Sequence, residues 1–451
     1  MQDLTTGSIS RHVLKTTSFM LVTMVFQTLY FLVDLYWIGR LGSQAVAAVS
    51  IAGNLTFIVL ALSQMLGVGT TTLVSHAVGQ KDKTRALLVF NQAQLLSVVS
   101  GALFVVVGLA LRPWYVGALA ADPVTASLAS EFLGWFIPAM GLQFGLVALA
   151  SALRGTGNFK PGMIVGSVTV LLNMLLAPFL IFGWGTGLAF GVAGAAMSSF
   201  VSVAIGVAWL ATYLFRENSY LRFVRGDLAP QWHLWGQLLK IGLPAGTEFA
   251  LMAVYLFIVY SISRPFGAAA QAGFGIGLRI VQAGFMPIVA LGFGVAPVAG
   301  QNFGARRPER VRQAFQDAIW MAAGAMAAFA LPCLLAPAPM VAFFSSDPEV
   351  IAVGEQYLRI VAWSFIGSGV TFVVSSTFQA MGNSIPPLLT SFARILVFAI
   401  PAFILARAAG FDLKWLWYLS TATILMQMAL NLVLVRREFA RKLVPMEAAA
   451  G

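Results

Sequence analysis

The chain has 451 residues, of which 59% are hydrophobic and only 10% charged, whereas soluble domains average about 45–50% apolar and about 25% charged residues. Counting its 43 glycines, the apolar share reaches about two-thirds, so too few polar side chains remain to coat a soluble protein of this length. That excludes a soluble globular class, a disordered chain and, since Cys333 is the single cysteine, a disulfide scaffold. The net charge of +11, from 27 basic and 16 acidic residues, would suit a nucleic-acid binder if it were spread evenly, and it is not.

A hydrocarbon core of about 30 Å needs about 20 apolar residues in a helix. Such runs lie near 13–39, 51–75, 86–111, 132–153, 163–182 and 192–215, then near 243–263, 273–300, 315–335, 351–381, 388–408 and 415–435. Backbone amides in lipid must be satisfied within the segment, and nothing alternates with the period of a barrel strand, so each run is expected to be a helix. The predicted fold is all-α and polytopic, with twelve transmembrane helices. The first run is too long for a signal-peptide core and reads as a spanning helix.

With the N-terminus in the cytoplasm, the inside segments carry Arg11, Lys15, Lys81, Lys83, Arg85, Arg154, Lys160, Arg216, Arg222, Arg225, Lys240, Arg306, Arg307, Arg310, Arg312, Arg436, Arg437, Arg441 and Lys442. The outside segments hold Arg40, Arg112, Arg264, Arg407 and Lys414. The positive-inside rule therefore predicts both termini in the cytoplasm and accounts for most of the charge, leaving no case for nucleic acid.

The two halves resemble each other. Asp122-Pro123 returns as Asp347-Pro348, and Gly157-Asn158 with Pro161 as Gly382-Asn383 with Pro386, all 225 residues apart. Gly79-Gln80 returns as Gly300-Gln301 at an offset of 221, which calls for four extra residues in the second loop. Six helices per half is an even number, so both halves enter the membrane in one direction and should be related by an axis along its normal. The expected domains are an N-lobe at 1–215, a cytoplasmic linker at 216–240 with Trp232 and Trp235, and a C-lobe at 241–451, facing each other across a cavity. The linker reads as an interfacial amphipathic connector.

The first helix ends Asp34-Leu-Tyr-Trp-Ile-Gly39-Arg40-Leu-Gly42. Leu153-Arg-Gly-Thr-Gly-Asn158, Gly191-Val-Ala-Gly-Ala-Ala196 and Gly300-Gln301-Asn302-Phe303-Gly304-Ala305 follow in order. Together with the six-plus-six repeat, this set resembles the multidrug and toxic compound extrusion (MATE) family over nearly the whole chain, its first motif being closest to the DNA-damage-inducible-type branch. The resemblance implies secondary antiport in a bacterial inner membrane: a small lipophilic or cationic compound leaves while protons, or sodium ions, enter. It also implies an ion-coupling role for Asp34 and a supporting one for Asn173.

The residues can be weighed separately. Asp34 lies inside the first apolar run, where an ionisable group is costly unless it faces water or a partner. Carboxyls removed from water hold protons more tightly, which makes a side chain of this kind a candidate proton carrier. The bland alternative is a structural acid paired with Arg40. Asn173 is a polar residue in an apolar run, with Ser198 and Ser199 in the next helix able to join its network. Ala177 stands where the resemblance expects a second acid, and fewer carboxylates favour protons over sodium. Glu248, four residues after Pro244, is either a second coupling acid or a capping or snorkelling glutamate. The resemblance implies a further acid in the tenth helix of sodium-coupled members, where this chain has only Ser368, Thr371, Ser375 and Ser376. Glu355 and Arg359 read as an i,i+4 pair. Arg279 and Arg394 have no sequence-visible partner and could line a substrate cavity in the second lobe. Pro138, Pro178, Pro287, Pro332 and Pro401 mark expected kinks.

Three histidines make no metal spacing, and hydrolase and phosphate-loop motifs are missing, so no enzyme, metal or organic cofactor is expected. The alternatives to drug export are a flippase for a lipid-linked or amphipathic metabolite and a passive channel or scaffold. A monomer is expected, with the lipid bilayer and its substrates as partners.

Overall fold

The structure, a computed structural model, describes residues 2–120, 122–185, 187–215, 220–408 and 410–448, and among these no side chain at Phe31, Leu35 or Asn54. Arg216, counted above with the cytoplasmic basic residues, lies outside the described residues.

Every apolar run becomes a helix. The first six are α1 (Ile9–Gly39), α2 (Ser43–Gly79), α3 (Lys83–Leu119), α4 (Pro123–Gly155), α5 (Lys160–Phe182) and α6 (Gly191–Phe215). The second six are α7 (Trp232–Ser263), α8 (Gly267–Gly304), α9 (Pro308–Leu335), α10 (Pro348–Ala380), α11 (Ile385–Leu405) and α12 (Leu413–Lys442). The chain is thus an integral, multi-pass membrane protein, and no strand occurs among the described residues. Large apolar side chains such as Phe343, Trp320 and Leu335 stay exposed, as they can where the solvent is lipid.

The prolines do not interrupt these helices. Pro138, Pro178, Pro287, Pro332 and Pro401 all stand inside continuous helix. Among the described residues α10 is broken by a 3-10 turn at Ala362–Ser364, which contains no proline.

The internal repeat is stricter than the motifs suggested. Gly42 and Gly267 have φ of 104° and 89°, Gly157 and Gly382 have 76° and 74°, and the non-glycine residues Lys81 and Arg306 have 59° and 53°. Each pair is 225 apart and each sits in the left-handed region that side chains avoid, so equivalent turns bend the same way. Asp122 and Asp347 cap α4 and α10 through backbone N–H groups. The Thr125 hydroxyl, donating over 2.6 Å, and nearby amides hold the Asp122 carboxyl below its ordinary pKa. The expected four-residue insertion is wrong. The counterpart of Gly79, the last residue of α2, is Gly304, the last residue of α8. Gly300-Gln301 is a chance match one turn earlier, where Gln301 is fully buried and accepts the Leu4 amide at 3.0 Å.

Contacts divide the described residues into two compact units, one holding Ser18–Gly246 and the other Leu4–Thr17 with the chain from Thr247 onward. The division falls inside α7 rather than in the segment 216–240, and the start of α1 belongs with the second unit rather than with residues 18–215. In that second unit Leu4, Ile9 and Val13 are buried completely. Asn302 Nδ2 donates to Leu4 O at 3.1 Å, Arg307 Nη1 to Thr5 O at 2.7 Å, and Ser10 Oγ to Asp317 Oδ2 at 2.7 Å. In the first unit the opening turns of α7 pack on α2 through glycine, since a Cβ on Gly69 would come 2.5 Å from Leu238 O. Small residues at such crossings let backbones approach where apolar burial offers no gain over lipid.

The connector before α7 is held by α3. Gln92 Nε2 donates to Asp227 O at 2.6 Å and Ala229 O at 2.7 Å, while Gln92 Oε1 accepts from the Gln231 amide at 2.9 Å and Trp235 Nε1 at 3.0 Å. Asn91 does the same for Arg222 and Val224. Of the two tryptophans expected at the membrane surface, Trp235 is buried and Trp232 exposed. Replacing Gln92 with Leu keeps its bulk but strands these four partners, and should cost about 2–4 kcal/mol. The check is the thermal midpoint of the purified protein with the rate of proteolysis between α6 and α7. An unchanged midpoint would contradict the clamp.

Candidate functional site

In the first unit α1, α5 and α6 bring a small polar cluster together in otherwise apolar surroundings. Asn173 Nδ2 donates to Ser199 Oγ at 2.9 Å and to Ser198 Oγ at 3.4 Å. Both serines turn their own hydroxyl protons to Ala195 O. Asn173, Ser198 and Ser199 are all buried, so their hydrogen bonds are formed where water cannot replace them. The sequence reading placed these three correctly side by side.

It missed Tyr30. The Tyr30 hydroxyl lies 3.1 Å from Ser199 Oγ, which carries the network from α6 to α1. Tyr30 precedes Asp34 by four residues and so occupies the same face of α1, a spacing that could have identified it.

Asp34 is half-buried, and its Oδ1 is shut off from solvent with no hydrogen-bond partner. It makes no ion pair among the described residues. The alternative pairing with Arg40 is not observed. Arg40 instead places Cζ 5.1 Å from the Tyr36 ring and 5.8 Å from the Trp37 ring, and Trp37 packs edge-on against Trp184 at 5.6 Å. The arrangement therefore holds a carboxyl with unused acceptor capacity, one turn from a tyrosine in a relay of hydroxyl and amide groups. Removing the Tyr30 hydroxyl with Phe would detach α1 from Ser199. The expected result is a several-fold slower transport, on the order of the 1 kcal/mol that one hydrogen bond contributes, with binding of substrate retained. Wild-type rates in Tyr30→Phe would show the hydroxyl to be structural.

Glu248 lies in the middle of α7, because the helix starts at Trp232 rather than near 243. It does not cap a helix, and it is half-buried. Its Oε2 accepts from Ser375 Oγ at 2.7 Å and its Oε1 from Ser391 Oγ at 3.3 Å. Gln379 Nε2 donates to Ser375 at 3.2 Å and Gln427 Nε2 to Ser391 at 2.9 Å. None of Ser375, Ser391, Gln379 and Gln427 was named from sequence as a partner of Glu248. Arg394 is half-buried in the same unit and Arg279 is exposed on α8. Glu355 and Arg359 pair as expected, at 2.8 Å. No group of three or more metal-binding side chains occurs among the described residues.

Comparison with known proteins fixes the family. Residues 20–179 and 244–404 match the MatE family model, one match in each repeat. The chain belongs to the MATE family. It is 27% identical to the multidrug export protein MepA of Staphylococcus haemolyticus over 365 residues, covering 81% of this chain and 80% of that one. It is 22% identical to an FAD transporter of Shewanella oneidensis, covering 82% of each. Its fold matches the crystal structure of a MATE protein in the bent conformation with a TM-score of 0.92 at 22% identity, over 98% of each chain. This MATE chain is accordingly a membrane transport protein with the two-lobe fold of the family.

Proposed function

We propose that this MATE protein is a secondary antiporter of the bacterial inner membrane, with both termini cytoplasmic, which exports drug-like, mainly cationic compounds in exchange for inward protons by alternating access. The observation that carries the coupling is the buried, unpartnered Oδ1 of Asp34 within a spanning helix. A buried acceptor without a donor is costly, and a proton or a small cation relieves that cost. Asn173, Ser198, Ser199 and Tyr30 form a neutral network beside it, supplying no second carboxylate for a metal cation. That supports protons over sodium. The multidrug export function of MepA supports the substrate class, and the basic residues of the even-numbered connections support the orientation. Glu248 is proposed as a second ionisable group of the cycle. We assign no cofactor and no obligatory partner subunit.

The test is accumulation of ethidium in cells lacking their own efflux pumps. Expression of the chain should lower the steady-state dye level, and a protonophore should restore it. Unaltered accumulation with the protein in the membrane would contradict export, and is the result a passive channel or scaffold predicts.

A further inference from the structure

Tyr30 and Tyr255 are 225 residues apart and thus equivalent in the two repeats. Each places its hydroxyl on a serine of the sixth helix of its own half, Tyr30 on Ser199 at 3.1 Å and Tyr255 on Ser420 at 2.7 Å. Their charged neighbours have opposite sign. One turn beyond Tyr30 is Asp34, whereas the equivalent residue beyond Tyr255 is Val259. The charge beside Tyr255 is Arg394, whose Cζ lies 5.0 Å from the ring centroid.

We propose that the second unit holds a binding site for the anionic group of an organic anion, centred on Arg394 and walled by Tyr255, Tyr357 and Trp417. Arg394 belongs to a spanning helix and has no ion pair among the described residues, and its Nε is buried without a hydrogen-bond partner. A guanidinium only donates, and a charge within the membrane normally has a counter-charge or a function. Glu248 of α7 does not serve it, because its carboxyl is taken up by Ser375 and Ser391, the latter one turn before Arg394 on α11. Trp417 Nε1, also a donor only, is likewise buried and unpartnered. Trp417 packs on Tyr357 at 4.9 Å, and Tyr357 and Tyr255 are both electrostatic neighbours of Arg394. The cluster thus has donors to spare, one of them charged, and aromatic walls. What it lacks is a counter-charge. A carboxylate, phosphate or sulfonate attached to an aromatic or apolar body supplies that, with the fork of the guanidinium gripping two of its oxygens. The site rests on the transport reading above, to which it adds a class of substrate.

The test uses the purified full chain in phosphatidylcholine nanodiscs, titrated with carboxyfluorescein as the anionic probe and ethidium as the cationic one, without any gradient. Wild type should bind carboxyfluorescein saturably. Arg394→Gln should weaken that binding about tenfold and Arg394→Lys, which keeps the charge but not the fork, about threefold, with ethidium binding within about twofold of wild type in both. Should the Gln variant not fold, the Lys variant decides. Phosphatidylglycerol added to the nanodisc lowers carboxyfluorescein affinity if the natural anion is a lipid headgroup, and leaves it unchanged if it is a soluble compound. The proposal is overturned if wild type binds no carboxyfluorescein, if both variants bind it as wild type does, or if a variant loses both dyes equally. Because no gradient is applied, failure here leaves the antiport reading standing, and failure of ethidium export leaves this site standing.

Discussion

An Asp34→Asn protein, inserted normally and melting at the wild-type temperature, should lose gradient-driven ethidium export by about 100-fold, the scale of removing an essential proton-transfer group. The substitution preserves shape and can still hydrogen-bond, but it cannot exchange a proton. Asn173, Ser198, Ser199 and Tyr30 keep their mutual contacts, so the fold has no reason to suffer. Equilibrium binding of ethidium should persist, since only the coupling step is removed. The readout is initial efflux from proteoliposomes under an imposed pH gradient, beside a binding titration of the same preparation. Export by Asp34→Asn at the wild-type rate would remove Asp34 from the mechanism.

The largest stability effect should come from a glycine far from any charge. An added Cβ on Gly242 would run into the backbone carbonyl of Met65, and one on Gly246 would meet Ala61 O at 2.5 Å. Backbone oxygen cannot rotate away as a side chain can, so α7 and α2 would have to separate. Gly242→Val should cost about 3 kcal/mol or more, seen as loss of folded protein on extraction or a much lower thermal midpoint. Gly117 is the control: it lies in α3 with nothing within 4 Å of a Cβ, and Gly117→Ala should be neutral or stabilising by up to about 1 kcal/mol. Equal behaviour of the two variants would contradict close α2–α7 packing.

Much of this architecture was legible from sequence because lipid leaves few options. Once about 20 apolar residues occur together, helix is the only solution open to the backbone, and twelve such runs gave twelve helices. Where water or protein replaces lipid, the rule weakens. The start of α7 at Trp232 rather than near 243 was hidden because His233, Gln237 and Lys240 interrupt the apolar run of its first turns, which are held to the first unit by Gln92 and by glycine contacts. The 3-10 turn in α10 has no proline to announce it. The repeat was visible at Asp122 and Asp347, but Gly300-Gln301 misled because two common residues match by chance. Backbone angles at Lys81 and Arg306 restore the register. Among site residues, Asn173, Ser198 and Ser199 could be grouped because a polar residue in an apolar span needs partners. Tyr30 could be found only through its spacing from Asp34, and Tyr255, one aromatic in a chain with 35 Phe, 11 Trp and 9 Tyr, only once the 225-residue offset is applied to Tyr30.

The energetics of the proposed exchange are simple. One proton entering for one monovalent cation leaving moves no net charge, so the driving force is the pH difference, about 1.36 kcal/mol per unit. A second proton, carried for instance by Glu248, would add the membrane potential at about 2.3 kcal/mol per 100 mV.

The most direct measurement is ethidium efflux from vesicles containing the purified chain, with pH and sodium gradients imposed independently. Efflux driven by an inward proton gradient alone, unaffected by sodium and abolished in Asp34→Asn, is the expected result. Efflux that follows the sodium gradient at constant pH, or that survives the loss of the Asp34 carboxyl, would contradict the account.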